Sequence, residues 1–91
     1  MTITINDKDI ELKYTLRSMM MYENITGKTF APEGVSDILT FFYCVVVASA
    51  KNYELKFDDF LDVIDDNQDK LNEFSLWLTN VVATQNYLKK N

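Results

Sequence analysis

The first fourteen residues alternate between apolar and polar side chains on both sides of a short polar segment at residues 6–9. The apolar members of the two alternating runs are Ile3, Ile5, Ile10, Leu12 and Tyr14. This pattern is typical of two half-buried strands joined by a tight turn. The sequence therefore predicts an N-terminal β-hairpin over residues 1–14, with an apolar face that must be covered by helices because isolated hairpins are marginally stable.

A short helix is predicted to follow the hairpin, from about Leu16 to Ile25. Thr15 occupies the position of an N-cap, because its hydroxyl can accept a hydrogen bond from the first turn. Gly27 occupies the position of the left-handed residue that commonly ends a helix.

One stripe of this helix is expected to face the core. Helical spacing places Leu16, Met19 and Met20 on it, with Glu23 one turn further along. We expect Glu23 to lie at the edge of the stripe and to bond backbone amides or a lysine. The alternative is that this carboxylate marks a functional contact. The methionines have two interpretations, core filler and adaptable binding surface.

The middle of the chain is predicted to hold a loop and then a central helix. Residues 28–35 contain Pro32 and Gly34 and form the loop. Ser36 and Asp37 are then expected to cap a helix that runs to about Ala50. Residues 41–47 of this segment also have high strand propensity, but its length and cap favour a helix, and its apolar character on all sides predicts a central position in the core.

Two further helices complete the predicted fold. Phe57, Phe60, Leu61 and Ile64 follow the spacing of a short amphipathic helix. A last helix is expected at about residues 68–89, with Trp77 beside an inner face made of Leu71, Phe74, Leu78, Val81, Val82, Gln85 and Leu88. The fold class is thus α+β and mainly α, a single domain over residues 1–91 with a hairpin at 1–14 and about four helices in a small bundle at 15–90.

The charge balance argues against nucleic-acid and membrane partners. The 91 residues carry a net charge of −5, and Arg17 is the single arginine. Binding to phosphate groups requires clustered cations, which this chain lacks. Cys44 is the single cysteine and lies in an apolar run, so a buried, inert thiol and a reducing compartment are expected, and we predict a cytoplasmic location.

The chain lacks a key residue of each common type of catalytic or ligand-binding site considered below. The chain contains no histidine, so Cys44 and the serines lack their common activating base. The Gly27-Lys28-Thr29 tripeptide lacks the first glycine of a phosphate-binding loop. The acidic segment from Asp58 to Asp69 lacks the turn glycine and the closing glutamate of a calcium loop. We therefore predict a non-enzyme without catalytic, metal or cofactor site.

Because catalysis and binding to nucleic acid or membranes are disfavoured, we predict that the protein functions by binding other proteins through its surface. The chain has more aromatic and methionine residues than a core of this size requires. Tyrosine and tryptophan tolerate half-exposed positions and anchor protein interfaces. The predicted partner-binding residues are accordingly Tyr22, Tyr53, Trp77 and Tyr87, although each could instead close the rim of the core.

The hairpin, followed by a helix that ends in the turn from Glu23 to Lys28, resembles the small tail assembly chaperones of long-tailed bacteriophages and prophages. The resemblance implies a non-catalytic protein of the bacterial host cytoplasm that keeps the tape measure protein soluble and helps to recruit tail tube subunits. The implied partners are the tape measure protein, the tail tube protein and, as a homo-oligomer, further copies of the chain.

Two alternatives remain open. The chain could be a structural phage protein, such as a head–tail connector or a tail completion subunit. It could also be an acidic regulatory protein-interaction domain that mimics DNA and blocks a nucleic-acid enzyme. That role requires carboxylates spaced like phosphates along one face, whereas the acids of this chain cluster mainly between Asp58 and Asp69.

Overall fold

The computed structural model describes the backbone of residues 1–51 and 54–89, and the side chains of this part of the chain up to residue 83. The elements are β1 (Thr2–Ile5), β2 (Lys8–Glu11), α1 (Leu16–Thr26), α2 (Gly34–Ala50), α3 (Phe57–Asp66) and α4 (Asp69–Lys89). The predicted fold class, an N-terminal antiparallel hairpin followed by four helices, is confirmed.

The hairpin forms because a two-residue turn brings two amphipathic strands together. Asn6 and Asp7 both have positive φ, 51° and 63°, as a tight turn between twisted strands requires. Ile5 then pairs with Lys8, and Ile3 with Ile10. The isoleucines are buried in the same core as the helices, whereas the threonines and charged residues of both strands face solvent.

Helix α1 has the predicted caps but a different buried face. The Thr15 hydroxyl accepts a hydrogen bond from the Ser18 amide, and Gly27 is left-handed with φ 69°. The expected core stripe was wrong at Leu16 and Met20, which are 75% and 63% exposed, whereas Met19 is partly buried against the core. Ser18 and Tyr22 are buried instead.

A local hydrogen bond explains why a serine can occupy the core side of α1. The Ser18 hydroxyl donates to the Thr15 carbonyl at 2.7 Å, so its burial leaves no polar group unsatisfied. Tyr22 then brings a large ring into the core from the same face. A stripe read only from aliphatic and methionine side chains misses this arrangement.

Helix α2 is the central element, as predicted, and the ambiguous segment at residues 41–47 is helical. The helix begins at Gly34, two residues before the predicted cap. The expectation that Ser36 and Asp37 cap it was wrong, because Glu33 is the N-cap residue and makes no side-chain cap bond. The Asp37 carboxylate instead accepts a hydrogen bond from the Glu33 amide at 3.1 Å.

Phenylalanines from three helices form the centre of the core. Phe42 of α2 stacks on Phe74 of α4 with ring centroids 4.2 Å apart and an interplanar angle of 5°. Phe60 of α3 packs edge-on against Phe42 at 5.1 Å. Phe41 contacts Phe74 at 6.1 Å. These contacts fix α3 and the first half of α4 against α2.

The inner faces of α3 and α4 agree with the prediction at most described positions, but Phe57, which was expected on the α3 face, is 37% exposed at the start of the helix. Phe60 and Ile64 are buried on α3, and Phe74 and Leu78 are buried on α4. Leu71 and Val82 are partly buried against the same core. The predicted inner-face positions at Gln85 and Leu88 lie outside the described side chains.

Candidate functional site

An open groove of about 690 Å³ lies between α4, from Ser75 to Ala83, and the segment that joins α1 to α2. Its surface is mainly apolar, with hydroxyls on the α4 side and one carboxylate. The lining residues are Tyr14, Phe30, Ala31, Pro32, Glu33, Ile38, Ser75, Leu78, Thr79, Val82 and Ala83. Its size is within the range of sites that bind ligands or partner side chains.

The α4 wall of the groove is formed by small residues at a spacing of four. Ser75, Thr79 and Ala83 follow one another on the same side of the helix. The Thr79 hydroxyl donates to the Ser75 carbonyl at 2.9 Å, so it is bonded within its own helix. From residue 75 to residue 83 this wall is about 12 Å long at 1.5 Å per residue.

The opposite wall is the segment of residues 27–33, here called the strap, which side chains of α1 and α2 hold in place. The Glu23 carboxylate accepts a hydrogen bond from the Phe30 amide at 2.8 Å. This confirms the expectation that Glu23 bonds backbone amides. Lys28 forms an ion pair of 2.8 Å with Asp37. With the bond from the Glu33 amide to Asp37, the strap is tied to its flanking helices at both ends and in the middle.

The Phe30 ring anchors the middle of the strap in the aromatic core. Its centroid lies 4.7 Å from that of Phe41 and 5.6 Å from that of Tyr22. Tyr14, at the end of the hairpin, contacts Phe41 at 6.2 Å and lines the groove. The apolar floor of the groove is thus continuous with the protein core.

The ionisable groups around the strap have shifted pKa values with clear causes. The hydrogen bond from Lys28 lowers the pKa of Asp37, and the same bond raises the pKa of Lys28. Burial, with a contribution from the charge of Asp37, raises the pKa of Tyr22. The buried Tyr22 hydroxyl lies near Asp37 but makes no hydrogen bond of good geometry with any described residue.

The structure brings none of the four predicted partner-binding residues into the groove as far as it describes them. Tyr22 is fully buried, so the expectation of a half-exposed position was wrong for this residue. Trp77 is half-buried beside Phe74, with ring centroids 5.5 Å apart. Tyr53 and the side chain of Tyr87 lie outside the described residues.

Sequence reasoning missed the groove because small and loop residues form it. Nothing in the apolar periodicity singles out Ser75, Thr79 or Ala83, since none is large or strongly apolar. Their spacing of four residues, next to the predicted inner face of α4, was the signal in the sequence that could have indicated a groove. The exposed apolar residues Leu16 and Leu76, 75% and 69% exposed, lie outside the groove lining.

Other kinds of site have little basis in the described part of the chain. No group of three or more acidic or cysteine side chains there could hold a metal ion. Burial raises the pKa of the Cys44 thiol to about 11, which makes it a poor nucleophile near neutral pH. Among the described helices, none combines the length and the apolar character needed to cross a bilayer.

Comparison with known proteins gives no relative: no family model, no curated protein and no solved structure matches the chain.

Proposed function

We propose that this protein is a non-catalytic binding module whose groove holds the apolar face of a helix from a client protein. The observation that supports the proposal is the open groove itself, about 690 Å³ of mainly apolar surface between α4 and the strap. Concave apolar surface of this size is the kind of surface that receives ligands or partner side chains. The strap is tied by hydrogen bonds and an ion pair, so the groove is held open without a partner.

The hydrogen-bonding character of the groove favours a helix over an extended peptide. An extended segment needs backbone partners along its length, usually from a sheet edge. The lining offers none from a strand, and the Thr79 hydroxyl is already bonded to Ser75. A helix satisfies its own backbone and can pack closely on the small residues of α4. A wall of about 12 Å accommodates two turns of such a helix.

The more specific form of the proposal is a phage or prophage tail assembly chaperone in the cytoplasm of a bacterial host. The resemblance in the hairpin and in the turn from Glu23 to Lys28 supports it. The client would be a helical segment of the tape measure protein, with the tail tube protein as a second partner. The net charge of −5 suits such a role, because it keeps a complex with an apolar client soluble.

Co-expression with tape measure fragments tests the proposal through a matched pair of variants on α4. Thr79→Trp places a large ring in the groove, whereas Leu76→Trp places the same ring at an exposed position outside it. We expect the wild type and Leu76→Trp to keep a fragment in the soluble fraction, and Thr79→Trp to lose it. Equal recovery with both variants would exclude the groove, and no recovery with the wild type would refute the chaperone proposal.

A further inference from the structure

Among the groove-lining residues that the structure describes, Glu33 carries the only formal charge. The two other carboxylates near the strap are already engaged: Glu23 accepts the Phe30 amide, and Asp37 pairs with Lys28. The direct ion pair of Lys28 is with Asp37, and its charge acts on Glu33 through space without a bond to it. Within the described residues, no ion pair involves the Glu33 carboxylate.

We propose that Glu33 makes the groove selective for an amphipathic helix that carries a lysine or arginine at one end of its apolar face. This inference rests on the proposed function, because it names the chemistry of the client that the same groove accepts. The apolar lining binds the body of the helix, and the exposed carboxylate at the strap end pairs with the cation. The pairing also fixes the direction in which the helix lies.

The expected energy of this pairing is modest because Glu33 is exposed. Exposed ion pairs change an equilibrium constant by about two- to fivefold, and salt screens them. Glu33 therefore determines specificity and direction, whereas apolar burial provides most of the affinity. An acidic residue at the same end of a client helix would be disfavoured by like-charge repulsion.

Two labelled peptides that differ at one position test the inference by fluorescence polarisation. Both are hydrocarbon-stapled helices of about four turns with a leucine face, since short free peptides are poorly helical in water. One carries lysine at the end of this face, and the other carries norleucine. The full-length protein is used as wild type, Glu33→Gln, Glu33→Lys and Asp62→Asn, the last removing an exposed acid of α3 as a control.

We expect the wild type and Asp62→Asn to bind the lysine peptide about two- to fivefold more tightly than the norleucine peptide at low salt. Glu33→Gln should remove this preference, and Glu33→Lys should reverse it. If both peptides bind with a ratio that Glu33→Gln leaves unchanged, the role of Glu33 is refuted and groove binding stands. If neither peptide binds any form of the protein, the groove proposal fails with it.

Discussion

The two halves of α4 meet the rest of the protein in opposite ways. In the first half, the Phe74 ring stacks on Phe42 at 4.2 Å and has no exposed surface. In the second half, Thr79 and Ala83 face an open groove. Both halves belong to one helix beside one core. The difference shows that the size of the side chains on α4 matters as well as the path of its backbone. A large ring fills the space beside the helix, and small side chains leave a groove there.

The groove persists because its far wall cannot move in to fill it. A gap between flexible elements usually shrinks, since neighbouring atoms gain dispersion contacts by closing it. The strap is prevented from doing so by the Glu23 carboxylate, the Lys28–Asp37 ion pair and the partly buried Phe30 ring, which packs on Phe41. The closed half is thus stabilised by packing, and the open half is shaped by polar bonds.

The largest expected effect comes from opening the closed half. Phe74→Ala removes a fully buried ring that contacts Phe42, Phe41 and Trp77. We expect the free energy of unfolding to fall by about 3–5 kcal/mol, because the lost burial and the cavity both destabilise the fold. Chemical denaturation followed by circular dichroism measures this change.

The matched control lies one turn further along the same helix. Thr79→Ala removes atoms that line the open groove and should raise the free energy of unfolding by about 0.5 kcal/mol, because alanine is the better helix former. If the two substitutions had similar effects, the distinction between a closed and an open half of α4 would be untenable.

The strap is expected to respond to the loss of a single acceptor. Glu23→Ala leaves the Phe30 amide without the carboxylate that accepts its hydrogen bond at 2.8 Å. We expect a loss of about 1 kcal/mol in the free energy of unfolding. Glu23→Gln keeps an acceptor oxygen and should retain most of this stability. An equal loss in both variants would show that charge, and not the hydrogen bond, holds the strap.

Acid should loosen the strap through Asp37. The Lys28 hydrogen bond, with a further bond from the Glu33 amide, lowers the pKa of Asp37 below its usual 3.8. A carboxyl with a lowered folded-state pKa contributes stability above its unfolded pKa, and that contribution disappears as the pH falls through the folded value. The stability advantage of the wild type over Asp37→Asn should therefore shrink between about pH 5 and about pH 2. Unfolding curves that stay equally far apart would contradict this.

The sequence could predict the fold where long periodic runs and caps agree. The alternation of the hairpin and the capping residues Thr15 and Gly27 each indicate one local structure, which the protein adopts. The segment of α2 is ambiguous by propensity, and its length correctly favoured a helix. The buried face of α1 could not be read in this way. Ser18 is acceptable in the core only because its hydroxyl bonds to Thr15, a local bond that periodicity does not report.

The candidate site was less predictable than the fold because it is a space that small side chains leave unfilled. Apolar counts emphasise large side chains, and they selected Tyr22, which fills the core. The groove depends on small residues such as Ser75 and Thr79, and on the distance at which the strap is held. That distance is set by contacts between segments far apart in sequence, such as Phe30 with Phe41.

The smallest expected change separates stability from binding within the open half. Thr79→Leu should raise the free energy of unfolding by about 0.5 kcal/mol, because leucine is the better helix former. The same side chain narrows the groove, so binding of a client helix should weaken. Leu76→Thr makes the reverse exchange outside the groove lining and should lower stability by a similar amount without changing binding. Denaturation and peptide binding on both variants measure the two effects. If Thr79→Leu raised stability and left binding unchanged, the client helix would bind somewhere other than the groove.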